Sequence, residues 1–350
     1  MTLPTTKNQI VLISGVNGYI ASVTAKAFLE AGYSVRGTSR SKSSSEGLLK
    51  ALPQYAEAGR LQIVEVKDIT IDGAFDEAVK GVHAIAHMAS PVSFHFTDPD
   101  PIIKAALHGT NSILASALKH GSPTLQHVVI TSSIAAIIST KEPPYVYTEK
   151  DWNDESEAEI ARLGKQTPGS HIYRGSKAVA EKAFWKFRDE NQPGFTMTSI
   201  NPAFVYGPPA VLPEGPEKIA ETVKPVYDIL AGKPLPPPMG GSGAFVDVRD
   251  VAALMVLAVE KGKEMNGERY IAAAGIGGMQ QIADILNEGY PQRKGKIAVG
   301  EPGKGYEPGF GFPKEGSRID SAKGKGILGR EWIGYKECVL DAAKEFERYL

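Results

Sequence analysis

Cysteine is almost absent. Cys338 is the only thiol in 350 residues, so no intrachain disulfide can form and no metal can be held by several thiolates, a pattern that suits a reducing compartment. Charge of one sign is not in excess either. A total of 39 Lys and Arg oppose 40 Asp and Glu, for a net charge of -1, which leaves no general field to gather nucleic acid or an anionic membrane surface. No uninterrupted apolar run approaches the roughly 18 residues of a membrane-spanning helix. The stretch from Met1 to Lys7 lacks the charged leader and apolar run of a signal peptide. These absences predict a cytoplasmic protein without nucleic-acid or membrane partners and without a metal. What the chain does have is apolar bulk, 42% hydrophobic residues, in a length beyond what one core usually serves.

Two periodicities alternate through the first two hundred residues. β-Branched runs at Ile10–Ile13, Ser34–Thr38, Leu61–Val64, His83–His87, His127–Thr131 and Thr196–Ile200 predict buried strands. Segments with apolar residues three and four apart lie between them, such as Val23, Ala27, Phe28 and Ala31, or Ile102, Ile103, Ala106 and Ile113, and predict helices. Strand and helix in alternation imply an α/β fold, a Rossmann-type doubly wound parallel sheet. After Pro202 the texture becomes rich in Pro and Gly. The expected division is a dinucleotide-binding domain over 1–202 and a smaller, mainly substrate-binding lobe over 203–350, with some segments returning to the first domain. The lobe should hold helices near Glu217–Leu230 and Val251–Glu260, and a last one with Val339, Ala343, Phe346 and Leu350 on one face.

The first strand runs into Gly15-Val-Asn17-Gly18-Tyr19-Ile20-Ala21 and then a helical pattern. A turn without Cβ atoms lets backbone N–H groups and a helix N-terminus approach a pyrophosphate, and a small residue such as Ala21 lets helix and strand pack closely. An NAD site calls for an acid about twenty residues later to accept from the ribose hydroxyls. Here that loop carries Ser39, Arg40 and Lys42 and no acid before Glu46, donors suited to a 2′-phosphate. The predicted cofactor is therefore NADP(H).

Further along, Tyr173 and Lys177 stand four apart in a helical run, which puts phenol and ammonium on one face. A neighbouring ammonium favours the phenolate, so Tyr173 could serve as proton donor and acceptor. The spacing recurs at Tyr290 and Lys294, but Pro291 prevents a normal helix through that copy. Ser132 and Ser133 follow the fifth strand, at the edge where this architecture binds ligands.

With these motifs in order, the chain resembles the extended short-chain dehydrogenase/reductases, in particular the group of dihydroflavonol reductases, cinnamoyl-CoA reductases and fungal NADPH-dependent ketone and aldehyde reductases. The matching pieces are Gly15-x-x-Gly18-x-x-Ala21, Val35-Arg-Gly-Thr-Ser-Arg40, Asp68-Ile69, His87-Met-Ala-Ser-Pro91, Thr131-Ser-Ser133, Tyr173-x-x-x-Lys177, Asn201-Pro202-x-x-Val205-x-Gly207-Pro208 and Phe245-Val-Asp-Val-Arg-Asp250, spread over nearly the whole length. The resemblance implies that Ser133, Tyr173 and Lys177 are catalytic. It implies that Asp68 and Ile69 hold the adenine, that Ala89, Ser90 and Pro91 flank the dinucleotide, and that Pro202 and Val205 support the nicotinamide. Where the shorter-chain branch supplies an Asn, this chain reads Ala105-Ala-Leu-His-Gly109, so no catalytic Asn is named.

The expected activity is NADPH-dependent reduction of small apolar ketones or aldehydes by a monomer or homodimer, with Val92, Phe94, Ile134 and Phe204 lining the substrate pocket. The Pro- and Gly-rich segment from Gly207 to Gly243 is the candidate lid. Two other readings share the glycine turn. A nucleotide-sugar epimerase would seat a sugar diphosphate, which these apolar residues suit poorly. A non-catalytic NADP-binding sensor would have no need of Ser133, Tyr173 and Lys177 together.

Overall fold

Alternation along the first strand sets the architecture. In β1 (Ile10–Ser14) the side chains of Val11 and Ile13 enter one hydrophobic cluster and that of Leu12 enters another. A strand apolar on both sides must be covered on both sides, which is the situation of a parallel sheet between helical layers. The computed structural model describes residues 6–90, 95–236, 243–307, 309, 311–312 and 316–350. Its main sheet contains β1, β2 (Ser34–Ser39), β3 (Leu61–Glu65), β4 (Ala84–His87) and β5 (His127–Thr131). After a two-residue β6 (Val146–Tyr147) outside that sheet, β7 (Thr196–Pro202) rejoins it, and its last member is β10 (Arg269–Ala272). The order is β10-β7-β5-β4-β1-β2-β3 with every pairing parallel.

Helices Tyr19–Glu30 and Val248–Glu260 pack together on the face of Val11 and Ile13, and helices Pro99–His120 and Gly169–Asn191 on the face of Leu12. The doubly wound α/β sheet expected from the alternating pattern is thus present. Between β7 and β10 the chain forms β8 (Phe204–Tyr206) and β9 (Ala244–Asp247), which with β11 (Gly275–Ile276) make a three-stranded sheet. Next to it helices Lys224–Leu230, Met279–Gly289 and Tyr335–Phe346 share a separate core around Val226, Ile282, Tyr335 and Val339. A short β12 (Arg318–Ile319) pairs with β6.

Two helical expectations in this part of the chain need correction. Instead of one helix over Glu217–Leu230, a single 3₁₀ turn covers Pro216–Lys218 and the α-helix begins only at Lys224. Pro225 sits in its first turn, the place where a missing N–H costs least. The final α-helix ends at Phe346 and passes into a 3₁₀ turn at Glu347–Tyr349. Leu350 therefore leaves the apolar face and is exposed.

The sheet order reverses between β1 and β4, the crevice where such folds take their ligands. Ser14 ties the two strand ends together. Its Oγ accepts from the N–H groups of Met88 and Ala89, each at 2.9 Å, and lies 2.8 Å from Nδ1 of His87. With both lone pairs occupied, the hydroxyl can only donate to Nδ1, so the imidazole carries its proton on Nε2. Burial, with the Lys177 charge second, lowers the His87 pKa from 6.5 to about 4. The unfolded chain binds more protons between those values. The stability that rests on neutral His87 is therefore complete above pH 6.5 and is lost as pH falls towards 4. His87→Asn, which keeps an acceptor for Ser14, should remove this slope. Urea unfolding at pH 7 and pH 4.5 should show wild type losing about 2 kcal/mol more than the variant between the two, and equal losses would refute the buried-neutral assignment.

Candidate active site

A cleft of about 800 Å³ opens along the carboxyl ends of the strands, bounded by the turn after β1, the loops after β2 to β5, and the start of the small lobe. Gly15 begins the first turn with a φ of +65°, a conformation that L side chains rarely adopt. A Cβ there would also lie 3.1 Å from the Ala89 Cα. Gly18 caps helix Tyr19–Glu30 without any side-chain bond to the first N–H groups, which leaves the helix N-terminus open to an anion. Gly15, Asn17, Gly18, Tyr19 and Ile20 all line the cleft. The phenol of Tyr19 is used elsewhere, donating to the Gly207 carbonyl at 2.8 Å.

Beyond the turn, Arg40 stands exposed at the rim and makes no ion pair among the described residues. Ser39 lines the cleft as well, but its hydroxyl donates to the Ser41 carbonyl at 2.7 Å. Lys42 is exposed at the start of the 3₁₀ turn Ser43–Ser45 and does not line the cleft. Asp68 accepts through one oxygen from both the N–H and the hydroxyl of Thr70, at 2.8 and 2.7 Å, which holds its carboxyl below the usual range. Ile69 packs on Gly109, where a Cβ would come within 2.9 Å of its Cδ1. Ala89, Ser90, Pro202 and Val205 complete this wall, and Pro91 lies outside the described residues.

These features fit a dinucleotide phosphate. The turn has the cradle a Cβ would fill, the helix N-terminus is uncapped, the guanidinium at the rim is uncommitted, and no carboxylate stands in the β2 loop. Among the described residues no His, Cys, Asp or Glu cluster could hold a metal, and no helix is long and apolar enough to cross a membrane.

Ser133, Tyr173 and Lys177 meet at the other end of the cleft. Ser133 caps the 3₁₀ turn Ile134–Ala136, accepting from the Ala135 N–H at 3.1 Å and donating a long 3.4 Å bond to the Pro202 carbonyl. It also lies near enough to the phenol of Tyr173 to influence its acidity. Burial, the largest influence, raises the Tyr173 pKa; Ser133 pulls it down and Glu221 pushes it up. The lowering by Lys177 expected from the spacing is not among the causes, and the phenol keeps its proton at neutral pH. The Lys177 ammonium lies 5.9 Å from the centre of the Tyr173 ring, and burial lowers its pKa to about 8 against an opposing pull from Glu181. Ile134 and Phe204 border the same end, together with Arg174 and Glu221, which sequence reasoning did not assign. Val92 and Phe94 lie outside the described residues. Tyr290 is buried in the small lobe, its acidity suppressed by burial and Glu347.

A second group missed by sequence reasoning holds this site together. Glu181, fully buried one helical turn beyond Lys177, accepts from Arg269 at 2.7 Å, from the Ser132 hydroxyl at 2.6 Å and from the Asn201 amide at 2.7 Å. Asn201 donates in turn to the Ser133 carbonyl at 3.2 Å. Arg269 reaches the carbonyls of Glu149 and Asp151, each at 2.7 Å, and stacks over Trp152. The signal for Glu181 was a third step of the four-residue spacing, Tyr173, Lys177, Glu181.

Comparison with known proteins identifies the family of the chain. The NAD dependent epimerase/dehydratase family model matches residues 11–273. The NADPH-dependent methylglyoxal reductase GRE2 of Saccharomyces cerevisiae is 31% identical, over 97% of this chain and 98% of its own. Ketoreductase azaE of Aspergillus niger is 31% identical, over 95% and 96%. The crystal structure of yeast methylglyoxal/isovaleraldehyde reductase Gre2 complexed with NADPH superposes with a TM-score of 0.84 at 30% identity, covering 97% of this chain and 99% of the other.

Removing one partner of a buried ion pair leaves the other charge uncompensated. Glu181→Gln should lower unfolding stability by about 3–5 kcal/mol, measured by urea denaturation. A change of under about 1 kcal/mol, the scale of an exposed pair, would show that the pair is solvated.

Proposed function

The chain belongs to the NAD dependent epimerase/dehydratase family, and within it we propose an NADPH-dependent carbonyl reductase that converts small ketones or aldehydes to alcohols. The observation that carries this reading is the meeting of Ser133, the protonated phenol of Tyr173 and Lys177 at one end of the cleft, with Tyr173 and Lys177 on the same helical face. That arrangement can hold a carbonyl oxygen and deliver a proton to it. The similar NADPH-dependent methylglyoxal reductase and ketoreductase support the same chemistry.

Ser133 is the residue we assign to polarise the carbonyl. Its bond to Pro202 is long and readily exchanged for one to a substrate oxygen. When bound, reduced nicotinamide supplies hydride to the carbonyl carbon. As negative charge develops on the oxygen, Tyr173 transfers its proton there, and the phenolate left behind is stabilised by the Lys177 ammonium. Lys177 titrates at about 8 in the protein alone, so it carries its charge at neutral pH. Gly15, Gly18 and the open helix end would hold the pyrophosphate, Asp68 and Ile69 the adenine, Pro202 and Val205 the nicotinamide side, and Arg40 the 2′-phosphate. The reacting end of the substrate would lie against Ile134 and Phe204. We place the enzyme in the cytoplasm, in keeping with its single, buried cysteine.

Tyr173→Phe should reduce kcat for ketone reduction by about 10² or more, the effect of a lost general acid, while NADPH binding measured by fluorescence stays near wild type. Full turnover in the folded variant would remove Tyr173 from the mechanism. Arg40→Ala should raise the KM for NADPH about tenfold, the equivalent of roughly 1.4 kcal/mol in charge-assisted bonding, and leave NADH kinetics nearly unchanged. Equal losses with both cofactors would make Arg40 structural.

A further inference from the structure

Beside the main cleft lies a second cavity of about 270 Å³, and the two share Ile138 and Arg174 as a common wall. Arg174 follows Tyr173 directly in helix Gly169–Asn191. Across the cavity stands Arg318, carried on β12, which is held in register by pairing with β6. The remaining wall combines apolar surface from Ile276 and Phe312 with the hydroxyl-bearing Ser139 and Thr140.

Apart from Arg174, the partly or fully buried arginines among the described residues are committed. Arg36 and Arg60 donate to backbone carbonyls, Arg249 pairs with Asp247 and Asp341, and Arg269 pairs with Glu181. Arg174 and Arg318 make no side-chain hydrogen bond or ion pair among the described residues. One carboxylate, Glu155, acts on Arg174 from a distance, but its two oxygens are taken by the N–H and hydroxyl of Thr140. The chain's near-zero net charge supplies no background attraction, so the pull of this cavity on an anion is local. Two guanidiniums from different elements, set in a partly apolar chamber, suit an aliphatic stem that ends in a carboxylate, which guanidinium binds through paired hydrogen bonds.

We propose that this cavity receives the carboxylate end of a carbonyl substrate whose ketone or aldehyde group lies at Tyr173. The proposal rests on the carbonyl-reductase reading and sharpens it: the substrate class is carboxylated carbonyl compounds, apolar around the reacting carbon and anionic at the far end. Glu221 lies at the Tyr173 end of the cleft and does not line the second cavity, so the anion is recognised away from it.

The test is the steady-state reduction, by the full-length protein with NADPH, of linear keto acids of increasing methylene spacing, each paired with its methyl ester. At one spacing the acid should exceed its own ester at least tenfold in kcat/KM, because shorter acids fall short of the guanidiniums and longer ones overshoot. At that spacing the acid-to-ester ratio should fall tenfold or more in Arg174→Gln and in Arg318→Gln. Arg318 is exposed and distant from Tyr173 in sequence, so its variant separates loss of anion recognition from disturbance of the phenol. Esters reduced as well as acids at every spacing, or a ratio unchanged in both variants, would overturn the proposal. If neither acids nor esters oxidise NADPH while the folded protein binds it, the carbonyl-reductase reading itself fails.

Discussion

A carboxylate and a guanidinium removed from water must each be fully paired, since either one left alone costs several kcal/mol. The Glu181–Arg269 pair meets that demand by recruiting everything around it. Ser132 comes from the end of β5, Asn201 from the end of β7, Arg269 from β10, and Glu181 from the helix of Tyr173 and Lys177. The elements that carry Ser133, Tyr173 and Lys177 therefore converge on one buried charge. Through Asn201 the network also grips the Ser133 backbone, so the position of the serine hydroxyl relative to the phenol is set from behind the site.

Electrostatics divides the cleft into unlike ends. At the β2 loop the chain presents Arg40, which makes no ion pair among the described residues, and no competing acid. Around Tyr173 and Lys177, in and behind the other end, lie groups whose charge is tuned by burial: His87 kept neutral, Tyr173 kept protonated, Lys177 eased towards neutrality. Each shift has burial as its largest cause; Lys177 adds to that of His87, while Ser133 opposes that of Tyr173 and Glu181 that of Lys177. A single sheet edge thereby combines an exposed cation at one end with a low-dielectric pocket at the other.

Much of this was legible in the residues because it depends on local order. Strands such as His127–Thr131 announce themselves by β-branched runs, and the glycine turn and the Tyr173–Lys177 step depend on neighbours a few positions apart. The misses follow a different rule. Arg269 and Glu181 are 88 residues apart, and no period links them. The neutral state of His87 depends on burial and on the charge of Lys177 from a distant helix. Arg174 stood inside the Tyr173–Lys177 motif, but its significance comes from Arg318 and from a cavity that only tertiary structure creates. Leu350 fitted the apolar stripe by spacing, yet the α-helix stopped before reaching it. In the lobe, Pro225 moved a helix start that periodicity alone placed too early.

The position of β10 has a consequence for how the molecule is made. The strand that carries Arg269 is added to the sheet edge only after the chain has left the sheet and built part of the small lobe. A nascent chain that has emerged only as far as β7 contains Glu181 but not the cation that neutralises it. Closing that contact requires a long loop to be ordered first, which places it among the slow, non-local steps of folding. Until then the carboxylate is better left in water, so the helix of Tyr173 and Lys177 has reason to dock late. The assembly around Ser133, Tyr173 and Lys177 is in this sense timed by the arrival of the main sheet's last strand, and a ribosome paused before residue 269 would display the glycine turn without the finished network behind those three side chains.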